Sequence, residues 1–291
     1  MDNRPREIVV ISGKGGTGKT SISASLAYLS QDCIVADCDV DAADLYLLLK
    51  PISIERQNFY SGRIAEINQE KCAGCGICKD LCRFDAIKAN NNAKFRVEPS
   101  SCEGCKVCVE FCPEKAIDFP ERLCGEWMKS ETRVGFMVHA KLGIAAENSG
   151  KLVALIRGEA KKLAQEKEKK LIIIDGPPGI GCPVIASITG VTDVLVVTEP
   201  TLSGIHDLER VLSLANHFRI KPYICINKFD LNLDMSEKIE GVAKELGAKV
   251  IGKIRYDKLV TKAQIEAKTI VESNIPSAQD IIDMWERLKV N

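Results

Sequence analysis

The chain has 291 residues, room for one large α/β domain and something small beside it. Its 40 lysines and arginines balance 40 aspartates and glutamates, which argues against a nucleic-acid binder driven by bulk charge. No apolar run approaches the length of a membrane span, which argues against a membrane protein. The chain opens Met1-Asp2-Asn3-Arg4-Pro5 and enters its first apolar strand, Ile8-Val9-Val10-Ile11, almost at once. That leaves no room for a signal peptide, and a cytoplasmic location is expected.

Directly behind that strand lies GKGGTGKT, Gly13 to Thr20, and directly ahead of it an amphipathic stretch beginning Ser21-Ile22. Strand, glycine-rich turn and helix follow in the order a phosphate-binding loop needs. Gly13, Gly18, Lys19 and Thr20 meet its Gly-x-x-x-x-Gly-Lys-Thr pattern. The glycines let the backbone curl until its N–H groups face phosphate oxygens, and the helix N-terminus adds partial positive charge. Gly13, Lys14, Gly15, Gly16, Thr17, Gly18, Lys19, Thr20 and Ser21 are the expected nucleotide-binding set. Lys19 is expected to meet the β- and γ-phosphates, and the Thr20 hydroxyl to ligate Mg²⁺.

Lys14 is not required by the general loop. With it, GKGGTGKT resembles the deviant loop of the MinD, ParA, Mrp and nitrogenase-iron-protein family of ATPases. The resemblance implies that Lys14 reaches the nucleotide of a second subunit, so that the active form is an ATP-sandwiched dimer of two copies or of this chain with a related ATPase. By itself Lys14 also reads as a solvated loop cation.

A helix is predicted over Thr20 to Gln31 and a short strand over Cys33 to Ala36, running into Asp37-Cys38-Asp39-Val40-Asp41. Acidic residues at the carboxyl end of a parallel strand sit in the ligand crevice of a doubly wound sheet, although a solvated acidic turn has the same composition. The family has its first switch here, and the resemblance implies that Asp39 orients or deprotonates the attacking water. It implies that Asp37 helps hold Mg²⁺ or pairs with Lys14.

From about Ser61 the composition changes. Thirteen cysteines in a chain opening on a nucleotide loop, most of them clustered, suggest metal rather than disulfides. Cys72, Cys75, Cys78 and Cys82 are spaced C-x₂-C-x₂-C-x₃-C, and Cys102, Cys105, Cys108 and Cys112 repeat the spacing with Pro113 after the last. Paired C-x₂-C motifs also serve structural zinc. The doubled run, with Ala86-Ile87 and Ala116-Ile117 following, resembles the two-cluster bacterial ferredoxin, in which the fourth cysteine of each run ligates the other cluster. That resemblance implies one [4Fe–4S] cluster on Cys72, Cys75, Cys78 and Cys112, and a second on Cys102, Cys105, Cys108 and Cys82. Arg83 departs from the pattern, standing where a proline usually follows the fourth cysteine. The ferredoxin stretch, 61–120, therefore reads as a small α+β insertion into an ATPase domain made of 1–60 and 121–291.

Val134 to Val138 reads as a strand, and Lys151 to Lys170 as a helix burying Leu152, Leu155, Ile156 and Leu163. Leu171-Ile172-Ile173-Ile174-Asp175-Gly176-Pro177-Pro178-Gly179 resembles the family's Walker B strand and second switch. The resemblance implies that Asp175 acts on Mg²⁺ through water, beside Thr20, Asp37 and Asp39, and that Gly179 offers its backbone to the γ-phosphate. Strands follow at Val194–Val197, Tyr223–Ile226 and Val250–Ile251. Asn227 sits where the family has its base-contacting asparagine. Asn227-Lys228-Phe229-Asp230 also mimics the guanine motif of GTPases, and Lys14 with the two switches favours ATP. Arg255 stands where the family usually has a proline.

The last helix, Ser277 to Val290, has Ile281, Ile282, Trp285 and Leu288 on one side. Its acidic residues outnumber its basic ones, so core packing is expected rather than lipid binding. His139, His206 and His217 share no ligand spacing. Cys33 and Cys225 lie in apolar strands and read as core. Cys182, seven residues after Asp175, lies about where the nitrogenase iron protein has a cysteine ligating a subunit-bridging cluster. It is either such a ligand, with Cys124 as a second, or a buried cysteine beside Pro183.

The expected fold is thus a doubly wound, mostly parallel P-loop NTPase carrying a ferredoxin-like insertion. The expected cofactors are ATP, Mg²⁺ and two [4Fe–4S] clusters. The leading expectation is an ATP-switched dimer gating electron transfer to a redox partner. The alternatives are a cluster-assembly ATPase serving a cluster-accepting protein and a MinD/ParA-like positioning ATPase.

Overall fold

The computed structural model describes residues 4–143 and 150–290, so the opening Met1-Asp2-Asn3 lies outside it. In chain order the elements are β1 (Arg6–Ser12), α1 (Lys19–Ser30), β2 (Cys33–Asp37), α2 (Leu45–Leu49) and β3 (Ile52–Arg63). There follow β4 (Glu66–Ile67), α3 (Ile77–Leu81), β5 (Ile87–Ala89), β6 (Phe95–Val97), α4 (Val107–Glu110) and β7 (Ile117–Asp118). Next come β8 (Glu121–Thr132), β9 (Gly135–Leu142), α5 (Gly150–Glu166), β10 (Leu171–Pro178), α6 (Cys182–Ile188) and β11 (Asp193–Thr198). The chain ends with α7 (Leu202–His217), β12 (Pro222–Asn227), α8 (Leu233–Glu245), β13 (Lys249–Ile254), α9 (Leu259–Ile265) and α10 (Pro276–Val290).

Nine strands form one sheet in the order β13-β12-β11-β1-β10-β2-β9-β8-β3. The ladders of β1 with β10 and β11, of β10 with β2, of β11 with β12, of β12 with β13 and of β2 with β9 are all parallel. Strands covered on both faces need continuous apolar runs rather than alternation, and every residue of β2 and β11 is buried. β1 lies between strands that come far later in the chain, and its carboxyl end opens on the crevice where such sheets bind ligands. α10 buries Ile281, Met284, Trp285 and Leu288 in the same core as Ile8 and Val10 of β1. Core packing is therefore the use of this helix, with Met284 rather than the half-buried Ile282 completing its apolar face.

The described residues divide into two compact units, one from 4–57, 127–141 and 150–290, the other from 58–126 and 142–143. β3 and β8, twelve residues each, run through the boundary and were not legible as strands in the sequence. The smaller unit holds two antiparallel pairs, β4 with β7 and β5 with β6. One core cluster there buries Ala65, Cys78, Ile87 and Ile117, with Cys82, Cys102, Cys108 and Cys112 packed half-buried against them, and Phe59, Ile64, Ala86, Ala116 and Cys124 are buried too. Among the described residues no helix is long and apolar enough to cross a membrane.

Candidate nucleotide and metal sites

The glycine-rich turn joins β1 to α1 where the sequence predicts it. Gly18 has φ +88°, and a Cβ there would lie 2.5 Å from Asn227 Nδ2, so no other residue fits without displacing that side chain. Asn227 Nδ2 donates to the Thr17 carbonyl at 2.8 Å, and its Oδ1 accepts from the Lys228 N–H at 3.0 Å. Asn227 thus braces the loop from the end of β12. A cavity of about 440 Å³ opens over the loop, lined among others by Gly15, Gly16, Lys19, Thr20, Asp39 and Gln264.

Beneath it the carboxylates from two strand ends converge on one lysine. Lys19 Nζ stands 2.8 Å from Asp39 Oδ2 and 3.7 Å from Asp175 Oδ1. Burial pulls the Lys19 pKa down, but Asp175 and Asp39 outweigh it and hold the ammonium above its ordinary value. Burial, then Asp175 and Asp39, push Asp37 well above the usual carboxylate range; burial also raises Asp39, with Lys19 opposing. Asp37 Oδ1 accepts the Asp39 N–H at 3.3 Å. Asp37 Oδ2 and Asp175 Oδ2 are buried with no hydrogen-bond partner. Two orphaned carboxylate oxygens beside a phosphate loop are costly unless something cationic completes them, so the donor set fits Mg²⁺.

Sequence reasoning missed three residues of this site. Ser23 Oγ donates to Asp175 Oδ1 at 2.8 Å; it lies four residues after Lys19 on the same helix face, a spacing that could have found it. Gln264 Nε2 donates to Ser21 Oγ at 2.8 Å from α9, with no local signal to announce it. Glu199, at the end of β11, receives Lys14 and Lys228, and the crevice rule for parallel strands could have singled it out. Lys14 does not meet Asp37: its Nζ lies 3.1 Å from Ser203 Oγ, 3.5 Å from Thr201 Oγ1 and 3.7 Å from Glu199 Oε2. The Gly179 N–H is given to the Ser12 carbonyl at 2.8 Å, and β10 runs past Asp175 to Pro178 instead of ending at the aspartate. Arg255 grips Asp280 with two nitrogens, each at 2.7 Å, and the Asp230 carboxylate accepts the Tyr256 N–H at 2.6 Å.

In the smaller unit the two cysteine runs interleave. One hollow is lined by Cys72, Cys75, Cys78 and Cys112, the other by Cys82, Cys102, Cys105 and Cys108. Burial raises the Cys78 thiol, with Cys72, Cys75 and Cys112 adding to it. Burial likewise pushes Cys108 up to about 11, its nearest contributors being Cys102 and Cys105. Among the described residues no three donors close on one point as a single ion needs. A single zinc would want its thiolates about 2.3 Å from it, whereas a cubane sets its four thiolates round its corners, each on a different iron. Four thiols round each hollow are the donor set a cubane takes, one per iron.

The remaining cysteines separate. Cys33, Cys38 and Cys225 are buried. Cys124 is buried too, its thiol donating to the Ser61 carbonyl at 3.2 Å. Cys182 is exposed at the first position of α6, contrary to the buried alternative. Ser130 Oγ pairs with His139 Nε2 at 2.8 Å and His217 packs edge-on against Phe218, so neither reads as a ligand.

A parallel sheet with a braced glycine loop, a buried lysine beneath it and two strand-end carboxylates defines a P-loop nucleotide-binding protein. Residues 8–270 match the model of the CobQ/CobB/MinD/ParA nucleotide-binding domain, and the chain belongs to that family. It is a P-loop ATPase of the MinD/ParA kind. It is 34% identical over 287 residues to an uncharacterized protein of Methanocaldococcus jannaschii, covering 97% of this chain and 96% of that one. Among solved structures its fold is similar to the cell division ATPase MinD of Pyrococcus furiosus, with TM-score 0.59, 15% identity and 98% of each chain covered. It is similar also to MinD of Pyrococcus horikoshii in complex with Mg-ADP, with TM-score 0.59, 16% identity, 98% of this chain and 96% of that one.

Proposed function

We propose that this chain is an ATP-switched dimer whose nucleotide state governs an iron–sulfur module, passing electrons from a reduced carrier to a partner protein. The observation that carries the reading is the sorting of eight cysteines, four and four, round two hollows in a chain whose larger unit is a P-loop ATPase. The core of the smaller unit supports it. One core cluster of that unit is built largely of thiols, Cys78 buried and Cys82, Cys102, Cys108 and Cys112 half-buried round Ala65, Ile87 and Ile117, and metal is a staple that small units use. Cys72, Cys75, Cys78 and Cys112 would hold one [4Fe–4S] cluster, and Cys82, Cys102, Cys105 and Cys108 the other. Bound there, such clusters supply one-electron chemistry.

In the larger unit Gly13 to Ser21 would cradle the triphosphate, with Thr20 and the orphaned oxygens of Asp37 and Asp175 disposed toward Mg²⁺. A triphosphate draws Lys19 from Asp39, leaving that carboxylate to orient or deprotonate the attacking water. Gly179 would exchange its bond to Ser12 for the γ-phosphate. Lys14 would cross to the nucleotide of a second copy or of a related ATPase. The use of Asp230 by the Tyr256 N–H, and the adenine nucleotide named for a structural relative, favour ATP over GTP.

Protein purified without oxygen tests this. We expect about eight irons per chain, the spectra of [4Fe–4S] clusters and ATP hydrolysis lost in Lys19→Ala. Lys14→Ala should keep nucleotide binding and lose dimerisation and hydrolysis. After anaerobic reduction, ATP should promote reoxidation by an acceptor while the iron stays bound; iron leaving for an apo-protein would favour the cluster-carrier reading. A positioning ATPase is the second reading, favoured by likeness to MinD over nearly the whole chain, and protein without iron would leave it standing alone. Cys182 forms a separate arm: loss of iron per dimer in Cys182→Ser would make it the ligand shared between copies.

A further inference from the structure

The carboxylate of Glu199 faces two lysines that the sequence places at the nucleotide site. Its Oε1 lies 2.6 Å from Lys228 Nζ and its Oε2 3.7 Å from Lys14 Nζ. Only 15% of its side chain is exposed, against 33% for Lys14, so the glutamate is the more deeply set partner of the pair. The loop that carries it is tightly built. Thr201 caps α7 by accepting the Gly204 N–H at 3.0 Å, and Thr198 Oγ1 donates to the Gly204 carbonyl at 3.1 Å. A Cβ on Gly204 would stand 2.2 Å from the Glu199 carbonyl oxygen. Thr201 of the same loop and Ser203 in the first turn of α7 complete the seat for the Lys14 ammonium.

We propose that Glu199 is the positioning residue of Lys14. Within its own subunit it retains the lysine, and so it sets how much attraction a second copy's nucleotide must exert before the dimer closes. The inference rests on the sandwich-dimer reading above and names its competitor. An ammonium cannot serve Glu199 and another subunit's phosphates at once. A triphosphate, richer in charge than a diphosphate, wins that contest more readily, so Glu199 sharpens the difference between ATP and ADP. Lys228 shares the carboxylate and weakens its hold on Lys14. The device acts twice in a symmetric dimer, once per subunit.

Dimerisation of the full chain, followed by sedimentation with ADP or a non-hydrolysable ATP analogue, tests this. Glu199→Gln should tighten the dimer in the analogue by roughly five- to twenty-five-fold, one half-buried ion pair being released per subunit, and should make a dimer detectable in ADP. Glu199→Asp should return most of the wild-type dependence. Glu199→Gln combined with Lys14→Ala should dimerise no better than Lys14→Ala alone, because the gain runs through Lys14. A Glu199→Gln protein that binds ADP normally and dimerises no better than wild type overturns the proposal, while Lys14→Ala still reports on the sandwich reading by itself. Should Glu199→Gln fail to fold, Lys228→Met decides. It leaves Glu199 to Lys14 alone and should weaken the dimer several-fold, whereas an unchanged or tighter dimer overturns the proposal.

Discussion

Lys19 Nζ lies 2.8 Å from Asp39 Oδ2, with both side chains buried, so the lysine proposed to meet phosphate is already paired with the carboxylate proposed to act on water. A nucleotide must break this pair to be held. Asp39→Asn should therefore bind an ATP analogue more tightly, by roughly tenfold, and turn ATP over at least about a hundredfold more slowly. Calorimetry and phosphate release measure the two effects. Unaltered turnover would remove Asp39 from the reaction.

Asp37, Asp39 and Asp175 crowd round a single buried lysine, and the crowding is a cost carried for function. Asp37→Asn keeps the size and takes one charge away. It should stabilise the ligand-free protein by about 1–2 kcal/mol, a rise of several degrees in Tm, and weaken Mg²⁺-dependent nucleotide binding. Thermal unfolding with and without Mg²⁺ and nucleotide should show the two curves crossing.

The crosswise sorting of the cysteines makes a prediction about additivity. Cys78 and Cys112 line one hollow, Cys82 the other. Cys78→Ser should fall from about eight irons to about four, and Cys78→Ser with Cys112→Ser should fall no further. Cys78→Ser with Cys82→Ser should lose nearly all. The reverse pattern, near-total loss from Cys78→Ser with Cys112→Ser and only half from Cys78→Ser with Cys82→Ser, would mean that each run serves its own cluster.

Arg133, in the turn between β8 and β9, donates to both carboxylate oxygens of Glu272, at 3.1 and 2.6 Å. Burial pushes the Glu272 carboxyl up, but Arg133 and the Thr269 N–H outweigh it and hold it below its ordinary value. A depressed carboxylate contributes stability that is present above its unfolded pKa of about 4.5 and is lost as pH falls through the lower folded value. Glu272→Gln should thus cost up to about 1 kcal/mol at pH 7, solvent screening included, and the gap from wild type should narrow as pH falls below 4.5. A gap that persists at low pH would mean that the loss is one of packing.

Much of the larger unit was legible because its central strands are buried on both faces and α1 begins where the glycine-rich turn ends. β1, β2, β10, β11, β12 and β13 were all found, short by a residue or more at their ends, where packing decides and local pattern does not. β3 failed for the opposite reason. Its twelve residues are mostly exposed and alternate too weakly to announce a strand. At the site, the loop and the Asp-x-Asp turn could be read from short-range spacing. Glu199 and Gln264 lie some 180 and 240 residues away from the loop, and only the fold brings them in. Lys14 shows the limit of motif reading: its type was legible, but its present counter-ion was not.

Arg6, the first residue of β1, donates to the carbonyls of Leu288 and Lys289 at the end of the last helix. The central strand is thus fastened by a residue 282 positions further along the chain, and its neighbours β10 and β11 also come well after it. A chain still on the ribosome holds its phosphate loop but has neither the flanking strands nor the helix that secure it. The cysteine runs emerge well before that. A cluster of the kind proposed above, loaded during translation, would enter a chain whose phosphate loop still lacks its flanking strands.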